Sequence, residues 1–336
     1  MPLTRRTRAA ACTIALLLVL AGVTGCDSSP RLPAFSNPVV EGLWTLQRMT
    51  QARSADTRVP HDIGEDSATT DPEPDPVPAQ PQTAAYHDSA AVTGKIFFDT
   101  PDGPSVCSGT AVQDPARPGR SGLVWTAGHC VHGGAGGDWF RNIVFVPSYN
   151  NLGLQGAARQ SAGEDRIAPF GTWWATSAEA AAQWVAQGSP SGGDGSPFDY
   201  AVLHVQRQGE AASLQEVIGQ AAPVWFGAPP ATRLSEIAAW GYPAQAPFDG
   251  ERMFSCRDRP GRLSIRPRQP VLYRIGCTMT GGSSGGGWFA RSPAGGPALV
   301  SNTSIGPAGN TWLAGPRLGE PARELYRRVS DKADSS

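Results

Sequence analysis

The chain has 336 residues, with 28 basic and 29 acidic side chains, a net charge of −1, 40 glycines and 31 prolines. Near-neutrality excludes a partner held through bulk charge, whether nucleic acid or an anionic membrane surface. Abundant glycine and proline leave few places for long amphipathic helices and favour short strands joined by turns.

The first 26 residues, MPLTRRTRAAACTIALLLVLAGVTGC, begin basic (Arg5, Arg6, Arg8), run apolar from Thr13 to Val23 and end in small residues. The apolar run is too short to span a hydrocarbon core of roughly 30 Å, so residues 1–25 read as a secretory signal peptide. Val23, Thr24, Gly25 and Cys26 resemble the lipobox of bacterial lipoproteins, which implies cleavage before Cys26 and a membrane contact through its lipidated thiol. VVEGLWTLQRMTQAR (39–53) reads as one short helix. Residues 51–88 are proline-rich, acidic and almost devoid of large apolar side chains, so they lack the surface to offset their ordering entropy. Residues 26–88 are therefore expected to be a largely disordered tether or pro-segment, residues 89–330 one globular unit, and residues 331–336 a disordered tail.

Within that unit, compact apolar or alternating runs predict strands at 94–98, 123–127, 142–147, 199–205, 237–242, 271–276 and 298–306. Helical periodicity appears at 177–188 and 319–330. Many short strands and a terminal helix predict an all-β barrel or pair of barrels.

His129 follows the second of these strands, in LVWTAGHCVHGG (123–134). His129 and His132 form an isolated HxxH, and with neither CxxC nor HExxH in the chain no metal site is expected. Ser283 and Ser284 lie in a second unusual stretch, CTMTGGSSGGGWF (277–289), where glycines allow close approach of the backbone to a ligand. A lone histidine after a strand is ordinarily packed, and a Gly/Ser run is ordinarily a flexible turn; here large apolar residues flank the run on both sides. Once Cys12 leaves with the signal peptide and Cys26 carries lipid, Cys107, Cys130, Cys256 and Cys277 remain. Outside the cytoplasm they form two disulfides, with three pairings open.

Taken together, TAGHC, FDYAVLHV and GGSSGG resemble, in that order, the histidine, aspartate and serine motifs of the trypsin/chymotrypsin-like serine peptidases. Within that family the chain is similar to the bacterial secreted branch that includes the glutamyl endopeptidases. The resemblance implies two six-stranded antiparallel β-barrels with a C-terminal helix, and a triad of His129, Asp199 and Ser284. It also implies an oxyanion hole from the amides of Gly282 and Ser284, and no cofactor. Asp165 and Asp194 compete for the acid's role, but neither precedes a strand. The family's histidine-loop disulfide implies Cys107 with Cys130, which leaves Cys256 with Cys277.

Departures from the family pattern are informative. Ser283 stands where many animal relatives have the aspartate that pairs with a freed N-terminus, and Gly287 stands where proline is usual. Thr278 occupies the position that is aspartate in enzymes preferring Arg or Lys, so a basic side chain finds no fixed partner. Thr303 occupies the position of the histidine of glutamyl endopeptidases, so a preference for Glu is not supported. Met279, Ser304 and Gly306 complete the expected substrate-binding set, which is uncharged. Two functions are consistent with this pattern. One is a monomeric, extracytoplasmic serine endopeptidase acting on proteins or peptides, anchored by Cys26 or released by pro-segment cleavage. The other is an inactive relative serving as a lipid-anchored binding module.

Overall fold

A computed structural model describes Met1 and residues 35–54, 58, 59, 69–189 and 192–333. The chain divides into two compact units, 1–33 and 34–336; of the first only Met1 is described, so the signal peptide and Cys26 lie outside the described residues. No helix among the described residues is long and apolar enough to cross a membrane.

Three two-residue strands come first: β1 (Arg53–Ser54), β2 (Arg58–Val59) and β3 (Gln80–Pro81). Six strands then form the first barrel: β4 (Thr93–Thr100), β5 (Gly103–Val112), β6 (Leu123–Thr126), β7 (Arg141–Pro147), β8 (Trp173–Ala180) and β9 (Ala201–Gln206). They pair antiparallel in the order β5-β4-β7-β8-β9-β6, and a β5–β6 pairing closes the ring. Alternating strand residues Ile96, Phe98, Phe145, Leu203 and Val205 point into its core.

The second half contains β10 (Ile237–Gly241), β11 (Phe254–Asp258), β12 (Gly261–Leu263), β13 (Leu272–Gly276), β14 (Gly287–Arg291), β15 (Pro297–Asn302), β16 (Gly306–Pro307) and β17 (Trp312–Gly315). These strands make a five-stranded sheet, β15-β14-β10-β11-β3, and a three-stranded sheet, β12-β13-β17. The two share a core that includes Ile237, Ile275, Trp288 and Leu313. The Cys256–Cys277 disulfide joins β11 of one sheet to the residue that follows β13 of the other. The helix Glu320–Ala333 closes the chain by packing Leu325 and Val329 against Trp125 and Val202.

The all-β architecture and the terminal helix match the expectation, and three local readings differ. The helix expected at 177–188 is strand β8 through Ala180, then a short helix Ala182–Gln187. Alanine and glutamate in β8 favour helix, but pairing with β9 from Ala180↔Ala201 to Trp174↔Gln206 overrides propensity. The helix expected over 39–53 is confined to Leu46–Gln51, and residues 331–333 of the expected tail are helical.

The largest difference lies in residues 26–88, whose described parts are laid along the domain instead of standing free of it. Trp44 and Met49 are buried, and Trp44 Nε1 donates to the Asn142 carbonyl at 2.7 Å. Asp71 accepts from the Arg262 guanidinium (Nη2 to Oδ1, 2.7 Å), which holds its carboxyl below the usual carboxylate range, and its carbonyl accepts from Arg274. β3 then adds to the edge of β11. The composition of the segment is too polar to make a core of its own, but it needs none when the domain supplies one.

His204 on β9 is buried, with Nδ1 2.7 Å from Thr176 Oγ1. Burial, aided by nearby Arg117, pulls its pKa from 6.5 down to about 4. The unfolded chain therefore takes up a proton that the folded chain refuses, so the stability present above pH 6.5 is lost as pH falls towards 4. Urea denaturation across that window should show the wild type losing up to about 3 kcal/mol more than His204→Gln; equal pH profiles would contradict the assignment.

Candidate active site

His129 sits on the single 3-10 turn Gly128–Cys130 directly after β6, and the Cys107–Cys130 disulfide ties that turn to β5. Asp199 ends a second such turn, Ser196–Phe198, just before β9, the strand paired with β6. The two side chains meet because their strands are neighbours. Asp199 is fully buried and accepts three donors: the His129 amide at 2.9 Å, His129 Nδ1 at 2.7 Å and Ser304 Oγ at 2.6 Å. Three donors, the last from the second half of the domain, offset the cost of burying a carboxylate. With Nδ1 donating to Asp199, the imidazole presents a lone pair at Nε2, which has no hydrogen-bond partner among the described residues. Trp184 packs beside the ring, 6.0 Å between centroids.

Ser284 lies in the loop between β13 and β14 and faces an open depression lined also by Gln245, Met279, Thr303 and Gly306. No hydrogen bond joins it to His129. Its loop is fixed from the first barrel, because the Ser284 carbonyl accepts from the Ser108 amide at 2.7 Å and Ser108 Oγ donates to the Gly282 carbonyl at 2.9 Å. The Gly281 carbonyl accepts from the Ala244 amide at 2.6 Å. A trans peptide points its N–H opposite its carbonyl, so the Gly282 amide faces away from Ala244. Among the described residues, neither the Gly282 nor the Ser284 amide donates to another protein group. Two unspent amides around a serine can receive an oxyanion.

Ser283, in place of an aspartate, donates its hydroxyl to the Thr280 carbonyl at 2.7 Å, so a neutral bond within the loop braces it. Gly287 is a packing requirement: a Cβ there would lie 2.5 Å from Thr110 Oγ1 and 2.7 Å from Leu299 Cδ1, which leaves no room for proline.

The expected substrate-binding residues separate. Met279, Thr303, Ser304 and Gly306 line the depression, whereas Thr278 does not, its hydroxyl accepting from the Ala79 amide at 2.9 Å. Two of the lining hydroxyls are engaged elsewhere: Thr303 Oγ1 accepts from Trp288 Nε1 at 2.9 Å, and Ser304 Oγ is bound to Asp199. Ser108, Ala244, Trp184 and Asn302, whose side chain donates to the Asp199 carbonyl at 3.0 Å, escaped sequence reasoning. They serve through backbone or buried contacts that leave no pattern in sequence; only the placement of Ser108 beside Cys107 offered a signal. Asp194 pairs with Arg266, away from the histidine. Cys107, His129 and Cys130 cluster closely, but both sulfurs are spent in the disulfide and cannot hold a metal.

No protein-family model matches the sequence, and no curated protein does. Solved structures do. The thermostable serine protease AL20 from an extremophilic microorganism is 33% identical, with a TM-score of 0.58 over 73% of this chain and 99% of that one. The protease Anisep from Arthrobacter nicotinovorans is 29% identical, with a TM-score of 0.58 over 75% of this chain and 99% of that one. A Glu endopeptidase in complex with MPD shares the fold at 15% identity, with a TM-score of 0.54 over 77% of this chain and 99% of that one.

Gly282 adopts φ +95°, and a Cβ there would lie 2.7 Å from Ala244 Cβ and 2.8 Å from the Tyr242 carbonyl oxygen. Gly282→Ala should therefore lose more than about 1 kcal/mol of stability in urea denaturation; a variant as stable as the wild type would show that the loop can re-form elsewhere.

Proposed function

Because the chain belongs to the family of trypsin-like serine proteases, we propose that it is a serine endopeptidase that works outside the cytoplasm. The observation that carries this reading is the buried Asp199–His129 pair, which leaves Nε2 unpartnered in the domain that also holds Ser284 and two unspent amides. A serine hydroxyl is a weak nucleophile at neutral pH. Rotation of Ser284 onto Nε2 lets His129 take its proton as Oγ attacks the scissile carbonyl, while Asp199 stabilises the imidazolium that forms. Negative charge then collects on the carbonyl oxygen, where the Gly282 and Ser284 amides receive it. His129 returns the proton to the leaving amine, and water repeats the sequence on the acyl-enzyme.

Substrates are proteins or peptides, and the uncharged surroundings of Met279, Thr303 and Gly306 disfavour a charged side chain next to the scissile bond. The basic start and apolar run of residues 1–25 support export, Cys26 supports a lipid anchor, and two disulfides suit an oxidising compartment. Residues 89–330 are taken as the catalytic domain. No observation favours the inactive binding module, since Gly287 answers to packing.

Fluorophosphonate treatment of the full chain, followed by mass mapping, should place one adduct on Ser284, absent from Ser284→Ala. Peptide hydrolysis should fall by about 10⁴-fold or more in Ser284→Ala and His129→Ala, and by about 10⁴-fold in Asp199→Asn. A folded chain that takes no adduct, even after limited proteolysis of its N-terminal segment, would refute the reading.

A further inference from the structure

Lys95 on β4 is 2% exposed, and its Nζ reaches the chain that links β10 to β11 (242–253), donating to the Gly250 carbonyl at 2.9 Å. The same ammonium lies over the rings of Tyr149, 4.4 Å from the centroid, and Phe97, 4.9 Å. Its partners across the ladder are Val146 on β7 and Ser108 on β5. Directly paired residues share a face of the sheet, so Lys95 and Ser108 stand side by side towards the second half. Ser108 Oγ accepts from the Tyr242 amide at 2.9 Å, which grips the linking chain at its start, and Lys95 grips it at Gly250. Between these two points the Gly250 amide donates to the Pro243 carbonyl at 2.9 Å, and a Cβ on Gly250 would lie 2.9 Å from Ala244 Cβ. The Ala244 amide in turn donates to the Gly281 carbonyl at 2.6 Å. The plane of the 281–282 peptide, and with it the direction of the Gly282 amide, is set by that bond.

We infer that Lys95 is a positioning residue for the oxyanion hole: by holding Gly250 it holds Ala244 against the Gly281 carbonyl, which keeps the Gly282 amide turned towards the substrate. The inference rests on the peptidase reading, and Lys95 itself touches no reacting atom. The charged groups facing it are Glu251 and Asp249 on the linking chain and Arg159 on the helix Gly156–Gln160. Glu251 is already engaged by Arg159 Nε at 2.5 Å and by the Tyr149 hydroxyl at 3.2 Å, and burial keeps the phenols of Tyr149 and Tyr242 neutral. Burial, opposed by Glu251, brings the Lys95 pKa from 10.5 down to about 8. A hydrogen bond from a charged donor is roughly twice as strong as one from a neutral donor, so the grip on Gly250 slackens as pH rises through about 8. Stability moves the other way. The unfolded chain keeps this proton up to 10.5, so between about 8 and 10.5 it binds more protons than the folded chain, and this group's contribution to stability rises with pH. Loss of turnover above pH 8 is thereby separable from unfolding.

The test uses the full chain, Lys95→Met, which keeps the volume without the charge, and Gly250→Ala, which pushes on Ala244 from the other end. Thermal melting verifies folding, fluorophosphonate labelling counts competent Ser284, and kcat and KM are measured on an uncharged fluorogenic peptide amide from about pH 7 to 9.5. Wild-type kcat should fall with a midpoint near pH 8 while KM changes less than about twofold. Lys95→Met should show kcat lower by roughly tenfold to hundredfold at pH 7, a fraction of the worth of one oxyanion donor, with KM little changed and no fall near pH 8. Gly250→Ala should lower kcat with KM little changed. A peptide aldehyde, whose adduct places an oxygen in the hole, should bind both variants more weakly by the factor lost in kcat/KM. A wild-type kcat flat across this range, a Lys95→Met that folds with unchanged kcat, or a midpoint that persists in Lys95→Met would each overturn the positioning role and leave the peptidase reading standing. Absence of labelling at Ser284 in the wild type would overturn both.

Discussion

The Asp199 carboxylate is the point on which the two halves of the domain turn. It is fully buried, and its two oxygens accept from the His129 amide and Nδ1 of the first barrel and from Ser304 Oγ of the second half. A charge in that position is tolerable only when all three donors are in place, so the carboxylate couples the docking of the two halves to the orientation of the imidazole. Asn302 reinforces the link by donating to the Asp199 carbonyl while accepting from Trp125 Nε1 in the first barrel. Fold stability and imidazole geometry are thus set by the same few bonds.

Ser108 does for the serine loop what Asp199 does for the histidine. Its amide and hydroxyl reach across to the carbonyls of Ser284 and Gly282, and its oxygen accepts from the Tyr242 amide. The carbonyls of 281, 282 and 284 are taken, and the amides of 283, 285 and 286 donate to the carbonyls of Thr280, Thr303 and Ser283, which leaves the Gly282 and Ser284 amides as those without a partner among the described residues. No ion pair with a newly made chain terminus is needed to hold this arrangement, because Ser283 is satisfied by Thr280 within its own turn. Control of activity by a charged switch at residue 283 is therefore closed to this protein.

The legible parts of the sequence were those where chemistry or apolar alternation is concentrated in a few adjacent residues. TAGHC and FDYAVLHV sufficed to bring His129 and Asp199 together in space, and the two disulfides pair as the resemblance implied. Strands β5 and β8 were illegible for opposite reasons. GPSVCSGTAV in β5 is rich in small residues because Gly109 packs flush against Ile96 and Val124, whereas WWATSAEA in β8 has helix-forming residues that cross-strand pairing overrules. Thr278 was misplaced for a third reason. Its position in the sequence suits a pocket wall, but the strap through Val77 and Ala79 claims both its amide and its hydroxyl. Composition identified residues 51–88 as unable to fold alone, and it could not say that the described parts, 51–54, 58, 59 and 69–88, would lie against the domain.

That last distinction explains how contacts as slight as two paired residues on either side of the depression can hold a segment in place. Separately, neither β1 nor β2 has the area to bind as a free peptide at ordinary concentrations. Both belong to a chain already fastened at Trp44 and Arg48 before them and at Asp71 and β3 after them, so their docking is intramolecular. Short tethers give effective concentrations in the millimolar range, roughly, and a weak pairing is then occupied most of the time.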